Sequence, residues 1–351
     1  MAANCILCVD DMLTSVVFPF FFLMSFLVFF GTIFRFSRAS WFGIWGGLEL
    51  NLICFIPMVV HFSRFLRVER VVKYFLVQSF GRIGLLFGGL VEDSLYFNVL
   101  GGFVYFLIFR LLLKVGVFPF HWWVPGVLGG LGWFGVLFFS TWQKVAPVLI
   151  FSGFCSVASY LIVFCIFSSF FGGLRGIGQT NVRLVLGYSS IGHSGWFFSL
   201  FCVSLCFGIF YFFFYIISTL ILILGLWILD YSRFNQHVKF SLIGVVFFFF
   251  GVLSVAGLPP FLGFFGKMLG FFAFGSNLIG LFFLSILVLG SLMSLYFYFG
   301  LFFSSFFMFF SSSFFNLGYG LVLLFLFSVL FGGFGLFGLD YLFFYYYDIL
   351  V

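Results

Sequence analysis

The chain has 351 residues, of which 64% are hydrophobic and only 7% are charged, with a formal net charge of +6. Soluble domains carry about 25% charged residues, so this composition excludes a soluble enzyme and implies a polytopic membrane protein. The basic residues are few and scattered, which excludes a nucleic-acid-binding face. Phe accounts for 70 residues. Phe, Gly and Val share T- and G-rich codons, the pattern that drift in a biased genome would leave. Phe replaces Leu wherever only apolarity is demanded, so ionisable residues that persist in this background are unusually informative.

Residues 1–15 read as a short N-terminal extension without an import signal: Asp10 and Asp11 precede the first basic residue, Arg35. Apolar runs near 20 residues then predict eleven spanning helices. They fall at 14–34, 41–61, 71–91, 97–118, 131–151, 152–172, 181–201, 203–229, 241–258 continuing after a break to 272, 277–305 and 319–339. A tail, 340–351, follows, and the whole of 1–351 is expected to form a single transmembrane domain. The seven cysteines include Cys5 and Cys8 at CxxC spacing and Cys202 and Cys206 one turn apart. They read as small apolar residues, without a four-ligand metal set.

Loop charges follow the helix count. Loops after even-numbered helices hold Arg64, Arg67, Arg70, Lys73, Arg175, Arg183, Arg233 and Lys239. Loops after odd-numbered helices hold only Arg35 and Arg38, with Glu92 and Asp93. The asymmetry places the N-terminus on the positive side of the membrane and Asp340 and Asp348 on the other.

Two proline breaks interrupt the helices. Pro119 and Pro125 lie in "KVGVFPFHWWVP", and Pro259 and Pro260 in "GLPPFLGFFGK". Proline removes a backbone donor, and the groups it frees are tolerated at membrane depth only where protein or water satisfies them. One broken helix in each half is the pattern of an inverted-repeat transporter. Lys114 precedes the first break whereas Lys267 follows the second, a reversal that two-fold symmetry does not explain.

Four ionisable residues fall within the expected helices: Glu49, Lys114, Lys144 and Lys267. Unpaired, they would cost about 10 kcal/mol together on insertion. Lysines near helix ends can instead snorkel to the interface, which a mid-helix Glu49 is too short to do. His121 lies in the first break. His193 sits in "YSSIGHSGW" with Ser189, Ser190 and Ser194, where a water wire and simple packing are both open readings. Gln78 and Arg82 share a helix face, and Arg110 lies one turn before Lys114; either arginine could reach the interface. With no phosphate loop, haem motif or iron–sulfur cysteine set in the sequence, the chemistry left is movement of protons or ions along a buried polar row.

The blocks "WGGLELNLICFIP", "KYFLVQS", "KVGVFPFHWWVP", "TWQKVAPVLI", "GQTNVRLVLGYSSIGHSGW", "GLPPFLGFFGK" and "SLYFYF" occur in this order from about residue 41 to 300. Together they resemble the antiporter-like membrane subunits of mitochondrial NADH–ubiquinone oxidoreductase, respiratory complex I. The resemblance implies an all-α fold of eleven helices, three N-terminal helices fewer than the larger relatives. It implies proton translocation in the mitochondrial inner membrane, with the N-terminus in the matrix and other membrane-arm subunits and lipids as partners. It implies no cofactor in this chain, flavin and iron–sulfur clusters belonging to other subunits, and no redox catalysis by the chain alone. By motif, Glu49 would pair with Lys114 of the first broken helix, Lys144 would be the central lysine, and Lys267 that of the second broken helix. Glu49 and Lys114 are expected within about 8 Å, where coupling at an effective dielectric of about 20 still exceeds about 2 kcal/mol. The chain departs from the family at Gly126, where Glu is frequent, at Gly266, where proline is common, and at Arg82 and Arg110, where small or apolar residues are expected. The rival readings are a free-standing cation/proton antiporter, which would need an ion site of its own, and a passive membrane scaffold.

Overall fold

The computed structural model describes residues 20, 22–34, 40–61, 68–94, 101–153, 161–234, 236, 241–275 and 277–312. The N-terminal extension, Cys5 and Cys8, the helix expected at 319–339 and the tail lie outside them. Apart from one isolated β-bridge, the regular structure among the described residues is helical. Among the described residues, six stretches are long and apolar enough to cross a membrane: Trp41–Val60, Glu69–Val91, Tyr105–Leu128, Trp133–Ser152, Leu205–Leu229 and Leu278–Phe306.

The chain divides into two compact units, the first Met1–Lys114 with Gly130–Gly135 and the second Val115–Gly129 with Val136–Val351. The first contains α1 (Phe22–Phe34), α2 (Trp41–His61), α3 (Val68–Ser94) and most of α4 (Gly101–Val115). Gly81, Gly84 and Gly88 recur along one face of α3, where side chains of α4 lie against them. A Cβ at Gly81 would sit 3.1 Å from Lys114 Cγ, and one at Gly88 would sit 3.0 Å from Leu107 Cγ. Small residues let helices approach closely where no hydrophobic force separates helix from lipid.

Helix α4 ends at Val115, three residues before the expected end, because Gly116 takes a left-handed conformation (φ 81°). Glycine does so without steric cost. In the second unit a cis Phe118–Pro119 peptide leads into the 3-10 turn Phe120–Trp122 and then α5 (Trp123–Leu128). Next come α6 (Trp133–Ser140), whose first turn belongs to the first unit, and α7 (Trp142–Ser152). Interrupted only at Thr141, they together make up the spanning stretch expected at 131–151. At the joint the Thr141 hydroxyl donates to the Leu137 carbonyl (2.7 Å), an alternative to the helical ladder that weakens it locally.

The remainder is α8 (Ile162–Gly176), α9 (Val182–Val203), α10 (Leu205–Leu229), α11 (Leu242–Ala256), α12 (Leu262–Phe274) and α13 (Leu278–Ser312). Glycines again set the closest contacts. A Cβ at Gly290 of α13 would fall 2.6 Å from the Ser169 carbonyl of α8, and one at Gly172 of α8 would fall 2.7 Å from the Gly192 nitrogen of α9. The run expected at 241–272 is interrupted where Gly257 (φ 75°) ends α11. Pro259 and Pro260 are exposed in the turn that follows. At one end of the unit, the α8–α9 and α10–α11 connections pair through an antiparallel bridge between Asn181 and Arg233.

Candidate functional site

In the first unit Glu49 of α2 is ion-paired with Arg82 of α3. The arginine is 2% exposed and the glutamate 31%. Arg82 therefore does not reach an interface. Its Nε donates to the Gln78 carbonyl one turn earlier (3.2 Å), while Gln78 Nε2 donates to the Lys114 carbonyl (3.1 Å). That carbonyl stands at the end of α4, where the helix leaves its last acceptors without partners, and Gln78 supplies one. Lys114 is buried, and its stem runs across Gly81. The carboxylate that family resemblance assigns to Lys114 is thus held by Arg82. Arg110 lies with its guanidinium 4.5 Å from the Phe80 ring and 4.6 Å from the Phe106 ring, in cation–π contact with both.

In the second unit, Lys144 of α7 is 4% exposed. Its ammonium donates to the Ser190 carbonyl of α9 (3.0 Å) and the Tyr215 hydroxyl of α10 (3.2 Å). The Tyr215 hydroxyl in turn donates to the Ser140 carbonyl (3.2 Å). His193 bonds through Nδ1 to the Tyr211 hydroxyl (3.0 Å), with its ring 5.3 Å from that of Tyr215. Lys267 of α12 is buried and donates to the Ala256 carbonyl (2.8 Å), the last residue of α11 before the break. Its amine lies where a Cβ at Gly257 would be, so space as well as φ demands glycine there.

The structure thus gathers Lys144, His193 and Lys267 in one unit and places Lys114, Glu49 and Arg82 in the other. Ser189 and Ser190, expected near a water wire, donate their hydroxyl protons to the Leu186 and Gly187 carbonyls of their own helix, leaving only acceptor positions. His121 accepts at Nε2 from Arg175 (2.9 Å), because a guanidinium can only donate, and its ring stacks with those of Phe118 and Phe171. Pro119 precedes the 3-10 turn and Pro125 packs against Gly187. At Gly126 nothing lies within 4 Å of an added Cβ, whereas at Gly266 the Tyr211 ring fills that space. Among the described residues no cluster of three or more His, Cys, Asp or Glu could hold a metal.

Tyr211 and Tyr215 were not singled out from the sequence. Their signal was present: in "YFFFY" two hydroxyls recur one helical turn apart within a run of Phe, on the same face.

Residues 39–311 match the model of the NADH:quinone oxidoreductase/Mrp antiporter transmembrane family. NADH-ubiquinone oxidoreductase chain 2 of Anopheles gambiae is 36% identical over 291 residues, 80% of this chain and 84% of that one. Its counterpart in Lumbricus terrestris is 32% identical over 287 residues, covering 78% and 83%. The fold is similar to a chain of respiratory complex I from Thermus thermophilus (TM-score 0.68, 24% identity, 80% and 69% covered). It is also similar to a chain of the Mrp complex from Dietzia (TM-score 0.70, 17% identity, 79% and 59% covered). The chain belongs to the NADH:quinone oxidoreductase/Mrp antiporter transmembrane family and, within it, to the NADH-ubiquinone oxidoreductase chain 2 family.

Proposed function

We propose that the chain is a proton-translocating membrane-arm subunit of respiratory complex I. It spans the mitochondrial inner membrane as eleven helices, two of them broken at prolines, with antiporter-like inverted repeats and the N-terminus in the matrix. It acts with the other membrane-arm subunits and binds no redox cofactor, the flavin and iron–sulfur clusters residing in the redox subunits. The observation that carries this reading is the set of buried groups in the second unit: Lys144 hydrogen-bonded to Tyr215, His193 to Tyr211, and Lys267 to the Ala256 carbonyl at the second break.

The set has the parts a proton path needs. Lysine and histidine can each bind and release a proton, and tyrosine hydroxyls both donate and accept. Carbonyl oxygens from Ser190 and Ala256 hold the two ammonium groups in place. Lys114 and Glu49 form the corresponding charge site of the first unit. Separating an acid from a lysine at about 6 Å and an effective dielectric of about 20 changes the energy by about 3 kcal/mol. Moving one charge against each 100 mV takes about 2.3 kcal/mol, so the two terms are comparable. Electron transfer elsewhere in the complex would supply the displacement.

Lys144→Met and Lys114→Met, each introduced into the assembled complex and reconstituted in sealed vesicles, test the reading. Both are expected to leave the complex assembled and to cut protons pumped per NADH oxidised. Normal pumping by both variants overturns the proton-relay role and leaves the scaffold reading. Cation-dependent proton exchange by the purified chain alone would identify a free-standing antiporter instead.

A further inference from the structure

The helical ladder is broken between α6 and α7, one turn before Lys144. A regular helix would send the Lys144 N–H to the Ser140 carbonyl, four residues back. It goes instead to the Thr141 carbonyl (3.3 Å). Thr141 has φ −107° and ψ −75°, away from the helical values of about −63° and −42°. Its hydroxyl and its nitrogen both donate to the Leu137 carbonyl, at 2.7 and 3.2 Å, and such back-bonding bends helices. Pro147 does not explain the break. The donor it lacks would have met the Gln143 carbonyl, three residues beyond Ser140. The Ser140 carbonyl, released from the ladder, accepts from the Tyr215 hydroxyl (3.2 Å). The same hydroxyl accepts from the Lys144 ammonium (3.2 Å). An ammonium only donates and a carbonyl only accepts, so the hydroxyl has one orientation between them: oxygen toward Lys144, proton toward Ser140. Ser140, Thr141, Lys144 and Tyr215 are all buried.

We propose that Thr141 is a positioning residue for Lys144: by holding the ladder open it frees the Ser140 carbonyl to orient Tyr215, whose oxygen then holds the ammonium. The break gives Lys144 an acceptor on a neighbouring helix, α10, at the cost of one bond inside its own. In a closed ladder the Lys144 N–H would draw the Ser140 carbonyl along the helix axis and away from α10. The Tyr215 proton would lose its acceptor, and nothing would fix the hydroxyl oxygen toward Lys144. Backbone and side chain of Lys144 are thus coupled through one carbonyl. What this does to pumping rests on the function proposed above; what it does to Tyr215 does not.

Thr141→Val removes the hydroxyl and keeps the shape of the side chain. The Leu137 carbonyl retains two other donors, the nitrogen of residue 141 and the Ser140 hydroxyl (3.2 Å), so the variant is expected to assemble. Thr141→Ser keeps the hydroxyl and serves as the conservative control. Electron cryo-microscopy of the assembled complexes gives the first readout. In T141V the Lys144 nitrogen is expected within hydrogen-bond distance of the Ser140 carbonyl, and the Tyr215 hydroxyl beyond it; T141S is expected to keep the native joint. A T141V complex that retains the Tyr215–Ser140 bond overturns the proposal. Protons pumped per NADH oxidised give the second. T141V is expected to lose severalfold and T141S little. T141V combined with Tyr215→Phe is expected to lose no more than Tyr215→Phe alone, because both act at one hydroxyl. Losses that multiply, as those of independent sites do, overturn the proposal. If T141V does not assemble, Thr141→Ala carries the same comparisons. Failure of both to assemble where Tyr215→Phe assembles shows that Thr141 acts on folding and not through Tyr215, and overturns the proposal as well. Normal pumping by the Lys144→Met complex would remove the function reading and leave the structure of T141V to decide the role of Thr141.

Discussion

Lys144 shows how much a single buried lysine depends on what surrounds it. Its ammonium has two acceptors, the Ser190 carbonyl and the Tyr215 hydroxyl, and the hydroxyl is held by the Ser140 carbonyl. Tyr215→Phe deletes one acceptor and leaves the ring, so packing is nearly preserved. A hydrogen bond to a charged group contributes about 1.5–3 kcal/mol, and about 1.4 kcal/mol is tenfold in rate. Complexes carrying Tyr215→Phe are expected to assemble and to pump at least severalfold more slowly, measured as vesicle acidification per NADH oxidised. Pumping at the native rate would remove Tyr215 from the path. At this scale the sequence revealed charges and hid hydroxyls. Glu49, Lys114, Lys144 and Lys267 stand out because an ion in an apolar run is costly wherever it points. Tyr215 reads as one more aromatic among Phe, since its cost depends on whether a partner is near. The Glu49–Arg82 pair joins residues 33 positions apart on two helices, which no local spacing encodes.

Among the elements, helix existence was legible and helix packing was not. Apolar length marks helices over 41–61 and 203–229 without any knowledge of neighbours, where α2 (Trp41–His61) and α10 (Leu205–Leu229) form. The ends of α4 and α11 are set by Gly116 and Gly257, whose left-handed backbone stops the helix before the prolines are reached. A glycine inside an apolar helix gives no sign of whether another backbone lies against it. Gly290 faces the Ser169 carbonyl and the Phe170 nitrogen, groups that cannot rotate away, whereas nothing lies within 4 Å of a Cβ at Gly300 of the same helix. Gly290→Ala must move α13 off α8 and is expected to destabilise by about 1–3 kcal/mol, the usual scale of overpacking. Gly300→Ala gains helix propensity and is expected to be neutral or stabilising by up to about 1 kcal/mol. Thermal unfolding of the two variants in the same detergent distinguishes them. Equal midpoints would show that the α8–α13 approach is looser than the structure has it.

At the scale of the molecule, the loop charges of the second unit bear on which way it faces. Two hydrogen bonds flank the Asn181–Arg233 bridge, Val182 nitrogen to Ser232 carbonyl (3.1 Å) and Phe234 nitrogen to Thr180 carbonyl (3.2 Å). They hold the α8–α9 and α10–α11 connections, which are separated by the two helices α9 and α10, at the same end. Arg175, Arg183 and Arg233 lie at or beside these connections, while the α9–α10 junction at Ser204 has no charge within the stretch "LFCVSLCFGIF". A helix of 22 residues such as α9 rises about 33 Å, enough to carry the chain across a hydrocarbon core of about 30 Å. Positive loops remain on the side from which a chain is inserted, and the function proposed above puts that side in the matrix. Single cysteines at Thr180 and Arg233, on a background freed of native thiols, are therefore expected to react with a membrane-impermeant maleimide only in inverted inner-membrane vesicles. One at Ser204 should react only in right-side-out vesicles, from the opposite face. Labelling of Thr180 and Arg233 from opposite sides would contradict the bridge itself. Labelling of both from the Ser204 side would keep the fold and reverse its orientation, so that Lys144 and Lys267 would have to take their protons from the other compartment.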